Sequence, residues 1–285
     1  MKIDMKIDDL ARRSGLNLIR QNPAGIGHNA ALARLEDTDG HLYVAKIATT
    51  KQARLDLEGW MLTCLRENGL KVPRVYLAER DLMIMDDLGG SGTKNRDFEV
   101  EAARALAGLH EVKGEFYGLG RDTVIGPLDQ PNPQNRNWVC FFRDHRLLGY
   151  ARRALNDGQI DETLMRDIDK LASRLDDYMA SPAAPTLIHG DAWAGNILPG
   201  KGGGLAGFID PAIYYADPEI ELAFLHLMGG MGPAFFEAYH ARHEVRPGFD
   251  DLRKDIYNLY PLLVHTILFG SGYARQVAAI VRRLV

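Results

Sequence analysis

Two neighbouring segments, in which apolar runs end at acidic or amide side chains, constrain this chain more than any other feature. Residues 187–200 read LIHGDAWAGNILPG, and residues 207–217 read GFIDPAIYYAD. Asp191, Asn196 and Asp210 therefore stand at the edges of segments that a core would bury. Burial of a carboxylate costs several kcal/mol unless a partner compensates it. These groups either have structural partners or hold a cation and take part in chemistry.

Composition narrows the class of protein. The 285 residues are 46% hydrophobic and 25% charged, as in a globular chain long enough for one large domain or two lobes. A net charge of −4 without a long basic block argues against nucleic acid or an anionic membrane as partner. Cys64 and Cys140 lack metal-ligand spacing, which favours a reducing compartment. The N-terminus has no signal-peptide pattern and the apolar run 259–270 is too short to span a membrane, so we expect a cytoplasmic protein. We also expect a monomer.

The first ninety residues predict a small strand-rich unit. The turn sequence DTDG between two apolar runs is typical of a β-hairpin. The predicted elements are strands at 30–36 and 41–48, a helix from Thr50 to Asn68, and strands at 72–79 and 81–88. The glycine-rich residues 89–92 then predict a boundary between an N-terminal unit, 1–89, and a C-terminal unit, 90–285.

Beyond residue 90 the pattern is mainly helical. The predicted elements are helices at 98–112, 138–155 and 161–180, two short strands in the segments quoted above, and a helical tail from Pro218. The connector 114–137, rich in Gly, Pro and Asn, is too long for a simple turn and predicts a functional loop. The sequence thus predicts an α+β fold with two lobes, a small antiparallel sheet with one main helix and a larger, mostly helical part.

Lys46 and Glu58 form the first candidate pair. Each alone is typical of a solvated surface charge, but a strand lysine and a glutamate on the next helix form the ion pair with which protein kinases hold nucleotide phosphates. Upstream, NPAGIGHNA at 22–30 offers Gly25 and Gly27, whose backbone N–H groups can approach a phosphate. Two glycines in isolation more often mark a plain turn.

The first quoted segment contains H-G-D-x-x-x-x-N, in which the aspartate and the asparagine have the spacing of the protein-kinase catalytic loop. In this interpretation Asp191 accepts or orients a substrate hydroxyl, while Asn196 and Asp210 supply oxygen ligands to Mg²⁺. Magnesium takes few protein oxygens and completes its octahedron with phosphate and water. The ordered set of residues predicts a kinase that uses ATP and Mg²⁺.

Three segments, HGDAWAGN, FIDPAIYYAD and LAFLHLMGG, closely resemble the fructosamine kinase (ketosamine-3-kinase) family. The tryptophan in H-G-D-x-W-x-G-N separates this family from the aminoglycoside and choline kinase branches. Residues 135–147 and 259–273 also match family segments, so the resemblance covers almost the whole chain. It implies a two-lobed kinase-like fold and ATP-dependent phosphorylation of the C3 hydroxyl of sugar-derived ketosamines on amines or proteins. The chain departs from the family at GIGHN, where adjacent glycines are more common, and at Glu221, where an Asp is common.

In a kinase-like fold, Asp86, Asp87 and Leu88 end the apolar run where a hinge would meet adenine through its backbone. The alternative is a plain strand end. We keep all three residues as candidate nucleotide contacts.

Four polar or aromatic residues are further candidates near the catalytic motif. Trp193 would either form a wall of the sugar pocket or belong to the core, and His189 would orient the loop through hydrogen bonds. Asp217 and Glu219 would meet a substrate amine, although a helix N-terminus also attracts carboxylates.

Three alternatives stay open. A kinase of the same architecture would act on another hydroxyl, such as that of an aminoglycoside, an amino alcohol or a free sugar. A metal-dependent hydrolase would use His189, Asp191 and Asp210 but would have no need of Lys46 paired with Glu58. The third is a catalytically silent ATP-binding module, against which the complete acidic set argues.

Overall fold

The N-terminal part is built on a five-stranded antiparallel sheet with the spatial order β1-β2-β3-β5-β4. The computed structural model describes residues 5–26 and 29–285. The elements of this part are α1 (Ile7–Ser14), β1 (Leu18–Ile26), β2 (Ala30–Asp37), β3 (Leu42–Ala48), α2 (Leu55–Glu67), β4 (Val75–Ala78) and β5 (Leu82–Asp86). Alternation along β3 turns Tyr43 and Ala45 toward a core shared with Leu10 of α1. Lys46 therefore points to the other face.

The predicted hairpin is confirmed as β2 and β3, but two local predictions are wrong. The helix begins at Leu55 instead of Thr50, since residues 50–53 form a turn and the Leu55 N–H donates to Arg80 O at 3.4 Å. The predicted loop at 22–30 is strand as far as Ile26. Pro23 is tolerated because β1 is an edge strand, with a register shift between Pro23 and Gly25.

The C-terminal part is mainly helical, as predicted. Its first elements are α3 (Arg96–Leu109), β6 (Thr123–Ile125), β7 (Leu128–Gln130), α4 (Trp138–Phe141), a π-helical stretch (Phe142–Leu148) and α5 (Gly149–Asn156). The helix predicted at 161–180 is divided into α6 (Glu162–Ala172) and α7 (Leu175–Tyr178). The connector predicted as a loop contains an antiparallel hairpin, β6–β7.

Four short strands, where two were predicted, bring the catalytic segments together. They are β8 (Thr186–Ile188), β9 (Ile197–Pro199), β10 (Leu205–Phe208) and β11 (Tyr214–Ala216). Ile188 pairs with Tyr214 and Ile197 pairs with Phe208. The loop after β8 and the loop after β10 therefore leave the same small strand cluster side by side.

Helices cover this cluster. The last elements are α8 (Glu219–Met228), α9 (Pro233–His240), a π-helical stretch (Phe249–Arg253), α10 (Lys254–Phe269) and α11 (Ser271–Leu284). The tail predicted from Pro218 is confirmed, with Pro218 as the residue before α8. Among the described residues, none of the helices combines the length and the apolar character needed to cross a membrane.

Candidate active site

Lys46 bonds two carboxylates, one from each part of the chain. Its position in β3 directs it toward α2, where its Nζ donates to Glu58 Oε1 at 2.6 Å and also to Asp210 Oδ1. Burial alone would lower the pKa of Lys46, but attraction by the two carboxylates outweighs it, so the pKa lies above its usual value. The side chain is therefore an ammonium ion held by carboxylates from both parts of the chain.

Asp191 and Asn196 are bonded to each other. Asn196 Nδ2 donates to Asp191 Oδ2 at 2.8 Å and to Asp191 O at 2.9 Å, so the amide oxygen of Asn196 is left for another partner. Gly190, just before Asp191, has φ +84°, and a Cβ there would lie 1.9 Å from Ala212 O. Burial and the negative charge of Asp210 raise the pKa of Asp191 well above its usual range.

Asp210 has the backbone of a constrained functional residue. Its φ is +55°, and it is the only non-glycine residue with a positive φ in the described part of the chain. The neighbouring Ile209 N–H donates to Asn196 O at 2.9 Å, which ties the two loops together. Burial pushes the pKa of Asp210 upward, but Lys46 more than offsets this, and the net pKa is lowered.

Glu221 holds the loop that carries Asp191. Its buried carboxylate accepts the N–H groups of His189 at 3.1 Å and Gly190 at 2.6 Å. It also accepts from His110 Nε2 at 3.0 Å, while His110 Nδ1 lies 2.7 Å from Tyr239 Oη. Burial lowers the pKa of His110, so the imidazole is neutral. This chain of bonds runs from α9 through α3 and α8 to the residues beside Asp191.

Two cavities meet at Asp191. The larger is a cleft of about 450 Å³ whose lining includes Lys46, Glu58, Leu88 and Asp210. The smaller, of about 40 Å³, is mostly apolar and is lined by Ile125, Tyr214, Phe224, Tyr260 and His265, among others. Of the described residues, Asp191 alone lines both cavities. A carboxylate at such a junction can act on a group in the small cavity and face a group in the cleft.

The cleft fits a nucleotide with a divalent cation. Its volume lies within the range of small-molecule sites, roughly 300–1,000 Å³. The Asp210 carboxylate and the Asn196 amide oxygen are hard oxygen donors of the kind that Mg²⁺ prefers. A cation between the two loops would also offset the mutual repulsion of Asp191 and Asp210 that raises the pKa of Asp191.

Asp86, Asp87 and Leu88 all line the cleft, as expected of a hinge. The Asp86 carboxylate accepts from Arg74 N at 3.0 Å and Tyr76 Oη at 2.9 Å. The Asp87 carboxylate accepts from Gly89 N at 2.8 Å and from Arg34. Both carboxylates therefore have partners within the protein.

Of four other candidates, the three that the structure describes are not among the residues that line the two cavities. Gly25 is in β1 and is not among the residues that line the cleft, and Gly27 lies outside the described residues. Trp193 is half-buried on the catalytic loop, where its ring packs over Gly195: a Cβ on Gly195 would come within 2.3 Å of it. Trp193 lines neither cavity. His189 is buried, and its Nδ1 accepts the Asp191 N–H at 3.3 Å, which agrees with a loop-orienting role.

Asp217 and Glu219, the candidates for contact with a substrate amine, are buried and bonded to side chains within the protein. They are 1% and 4% exposed. Asp217 accepts from Tyr257 Oη at 2.5 Å and from Arg246. Glu219 accepts from Arg253 Nε at 2.7 Å and from Arg246 Nε at 3.1 Å. Arginine partners distant in sequence use both carboxylates, and the helix-start signal alone did not reveal them.

Comparison with known sequences points to one family. The sequence model of the family described as fructosamine kinase matches residues 11–285. A Synechocystis protein named as a probable ketoamine kinase is 37% identical over 198 residues, which make up 67% of this chain and 64%, just under two thirds, of that protein. The Mus musculus ketosamine-3-kinase is 27% identical over 315 residues, covering 96% of this chain and 98% of the mouse protein.

Solved structures agree with this. A Thermobifida fusca protein assigned as a fructosamine-3-kinase has a TM-score of 0.89 at 28% identity, with 99% of this chain and 98% of that chain covered. The aminoglycoside phosphotransferase APH(4)-Ia, solved with AMP-PNP and hygromycin B, shares the fold with a TM-score of 0.68 at 16% identity over 96% of this chain and 97% of that one. The chain therefore belongs to the fructosamine kinase family, whose members are ATP-dependent phosphotransferases acting on a hydroxyl group, and it has their protein-kinase-like fold.

Proposed function

We propose that this chain transfers a phosphoryl group from ATP to the C3 hydroxyl of a sugar-derived ketosamine, of the fructosamine or ribulosamine type, and so repairs glycated amines or proteins. The observation that carries the proposal is Asp191 at the junction of the cleft and the small cavity. The names of the Synechocystis and mouse relatives support a ketosamine as the acceptor.

Each polar residue of the site has its own role in the proposed phosphoryl transfer. Asp191 accepts or orients the proton of the acceptor hydroxyl, and Asn196 fixes Asp191 through one N–H···O bond to its carboxylate and one to its backbone carbonyl. Lys46, positioned by Glu58, stabilises phosphate charge. Asn196 and Asp210 would hold Mg²⁺. Bound MgATP supplies the phosphoryl group and neutralises part of its charge.

The nucleotide contacts are also part of the proposal. Asp86 N–H donates to Arg74 O and Asp87 N–H donates to Leu42 O, each at 3.0 Å, so we assign the adenine contact to the Leu88 backbone. Residues 1–89 and 90–285 act as the two lobes around the cleft. The phosphate contact of Gly25 and Gly27, the sugar-wall role of Trp193, the monomeric state and the cytoplasmic location stay predictions.

The test is a Mg²⁺-ATP assay across ribulosamines, fructosamines, free ketoses and aminoglycosides, with the phosphorylated carbon located by NMR. We expect turnover of a ketosamine well above that of free ketoses or kanamycin-type acceptors, with phosphate on C3. Equal or better turnover of an aminoglycoside would refute the ketosamine assignment and leave phosphotransfer intact. ATP hydrolysis without any phosphorylated acceptor would instead favour the hydrolase.

A further inference from the structure

The hairpin β6–β7 separates the two cavities that meet at Asp191. Ile125 lines the small cavity, whereas Val124 and Gly126 line the cleft. Successive strand residues point to opposite faces, so neighbouring positions on one strand serve different cavities. Val124 and Ile125 are each 8% exposed and both are β-branched aliphatic residues. The hairpin is thus a wall between the two cavities, in which adjacent residues of β6 contact different cavities.

A buried polar network fixes this wall. Thr123 Oγ1 donates to Gln130 Oε1 at 2.6 Å across the hairpin, and Asn132 Nδ2 donates to Thr123 Oγ1 at 2.7 Å. Gln130 Nε2 donates to Tyr260 Oη at 2.9 Å, and Tyr260 itself lines the small cavity. Because these bonds join the hairpin to α10, the position of Ile125 is set relative to the opposite side of the small cavity.

The size of the small cavity decides which part of an acceptor it can take. A cavity of roughly 10–15 Å³ holds one water molecule, so a cavity of about 40 Å³ admits only a few non-hydrogen atoms. Its walls include Ile125, Phe224 and Tyr260, which suit the C–H faces of a carbon chain. The two carboxylates in its lining, Asp191 and Glu221, are already bonded to Asn196 and to three N–H groups of the protein. A bulky amine carrier does not fit in this volume and has to lie outside.

We propose that the 123–130 hairpin is the partition between the nucleotide and acceptor subsites, and that Ile125 is a specificity-determining residue that contacts the sugar carbon chain beside the reacting hydroxyl. Val124 contacts the nucleotide side of the same wall. This inference rests on the proposed function for the identity of the acceptor, but the division of the two subsites does not depend on it.

Three variants test the partition: Val124→Ala, Ile125→Ala and Leu128→Ala. Leu128 is the matched control because it is 4% exposed, pairs with Ile125 in the hairpin and lines neither cavity. Binding of Mg²⁺-AMP-PNP is measured by calorimetry without acceptor, and acceptor KM and kcat are measured with a ribulosyl-lysine derivative. Thermal melting confirms that each variant is folded. Ile125→Val repeats the test with a smaller loss of side-chain volume than Ile125→Ala.

We expect Ile125→Ala to lower kcat/KM for the acceptor by about tenfold or more, the range for lost apolar contacts in a pocket, while nucleotide affinity stays within about twofold. Val124→Ala should weaken nucleotide binding more than it raises acceptor KM, and Leu128→Ala should change neither selectively. The Ile125→Ala effect should be the same for ketosamines with small and large amine carriers.

Other outcomes would overturn the partition. One is an equal loss of nucleotide affinity and of acceptor kcat/KM in Ile125→Ala. The others are an unchanged acceptor kcat/KM in Ile125→Ala, or a selective loss of acceptor kcat/KM in Leu128→Ala as well. Failure of the proposed function looks different: the wild-type protein would not phosphorylate ketosamines. In that case nucleotide affinity in the Val124 and Ile125 variants still tests the partition. The acceptor kinetics are then measured with the alcohol from the panel that the wild-type protein does phosphorylate.

Discussion

Replacing Glu221 by Gln tests whether the buried carboxylate that bonds the loop before Asp191 sets the position of Asp191. The carboxylate accepts three N–H groups, from His189, Gly190 and His110. A glutamine amide has the same shape but only one acceptor oxygen, and its NH₂ group is a donor. Whichever oxygen the NH₂ replaces, the backbone N–H of His189 or Gly190 faces a donor and loses its bond.

The size of the effect follows from these contacts. Glu221 is 2% exposed, so water does not replace the lost acceptor. A hydrogen bond to a charged group contributes about 1.5–3 kcal/mol, and a buried donor left unsatisfied costs about 1–3 kcal/mol. We expect the unfolding free energy of Glu221→Gln to fall by about 2–5 kcal/mol. Asp191 directly follows Gly190, and a shift of about 1 Å at a reacting group costs on the order of 10²-fold in rate.

The assay separates these two effects. Urea unfolding gives stability, and kcat is measured on folded protein beside Mg²⁺-AMP-PNP affinity, which should not change because Lys46, Glu58 and Asp210 are untouched. Glu219→Gln is the control: Glu219 lies on the same helix and is similarly buried, but it bonds Arg246 and Arg253 instead of the loop. It should lose stability while kcat and acceptor KM stay near wild type. A wild-type kcat in Glu221→Gln, or equal kcat losses in both variants, would refute the reasoning.

Three further predictions follow from the site. Lys46→Ala should cut turnover about 10²–10³-fold, the range for one charge-stabilising group, as measured by a coupled ADP assay. Asp191→Asn should lower kcat by about 10²–10⁴-fold with Mg²⁺-ATP affinity nearly unchanged in calorimetry, whereas Asp210→Asn should weaken both; equal affinity losses would refute this division of roles. Because burial lowers the pKa of His110 below its ordinary value of 6.5, the unfolded chain binds a proton that the folded chain does not, so stability should fall as pH drops below that value. Urea unfolding at low and neutral pH should show a smaller pH-dependent loss in His110→Gln than in wild type.

Local sequence signals predicted those parts of the fold that local contacts determine. The turn DTDG specified the hairpin of β2 and β3, and Asp37 indeed accepts the Asp39 N–H at 3.0 Å within that turn. Thr50 carried the local signal for a helix start, but the helix begins at Leu55, whose N–H meets Arg80 from the β4–β5 turn. Contacts between segments distant in sequence decided that boundary, and no local signal reports them.

The site, like the fold, depends both on local contacts and on contacts between segments distant in sequence. Asp191 and Asn196 are five residues apart, and their bond follows directly from the turn between them. Asp217 and Glu219 also followed a correct local rule, since carboxylates favour a helix N-terminus, but Arg246 and Arg253 decide their role. The nucleotide side of the site was therefore largely predictable. The acceptor side, which joins the connector hairpin to α8 and α10, was not.

Charge at the site gives a reason why the nucleotide must bring a cation with it. Glu58, Asp191 and Asp210 converge on the inner end of the cleft, where Lys46 is the cation that bonds two of them. An anionic polyphosphate alone would enter a region in which carboxylates outnumber the ammonium group, and repulsion at this short range is strong in a partly buried site. If Mg²⁺ binds Asp210 and Asn196 as proposed, it would offset this excess of negative charge, and Lys46 would be attracted to phosphate as well as to Glu58. In the proposed mechanism the excess of carboxylates in the cleft would therefore favour the metal complex of the nucleotide over the free polyphosphate.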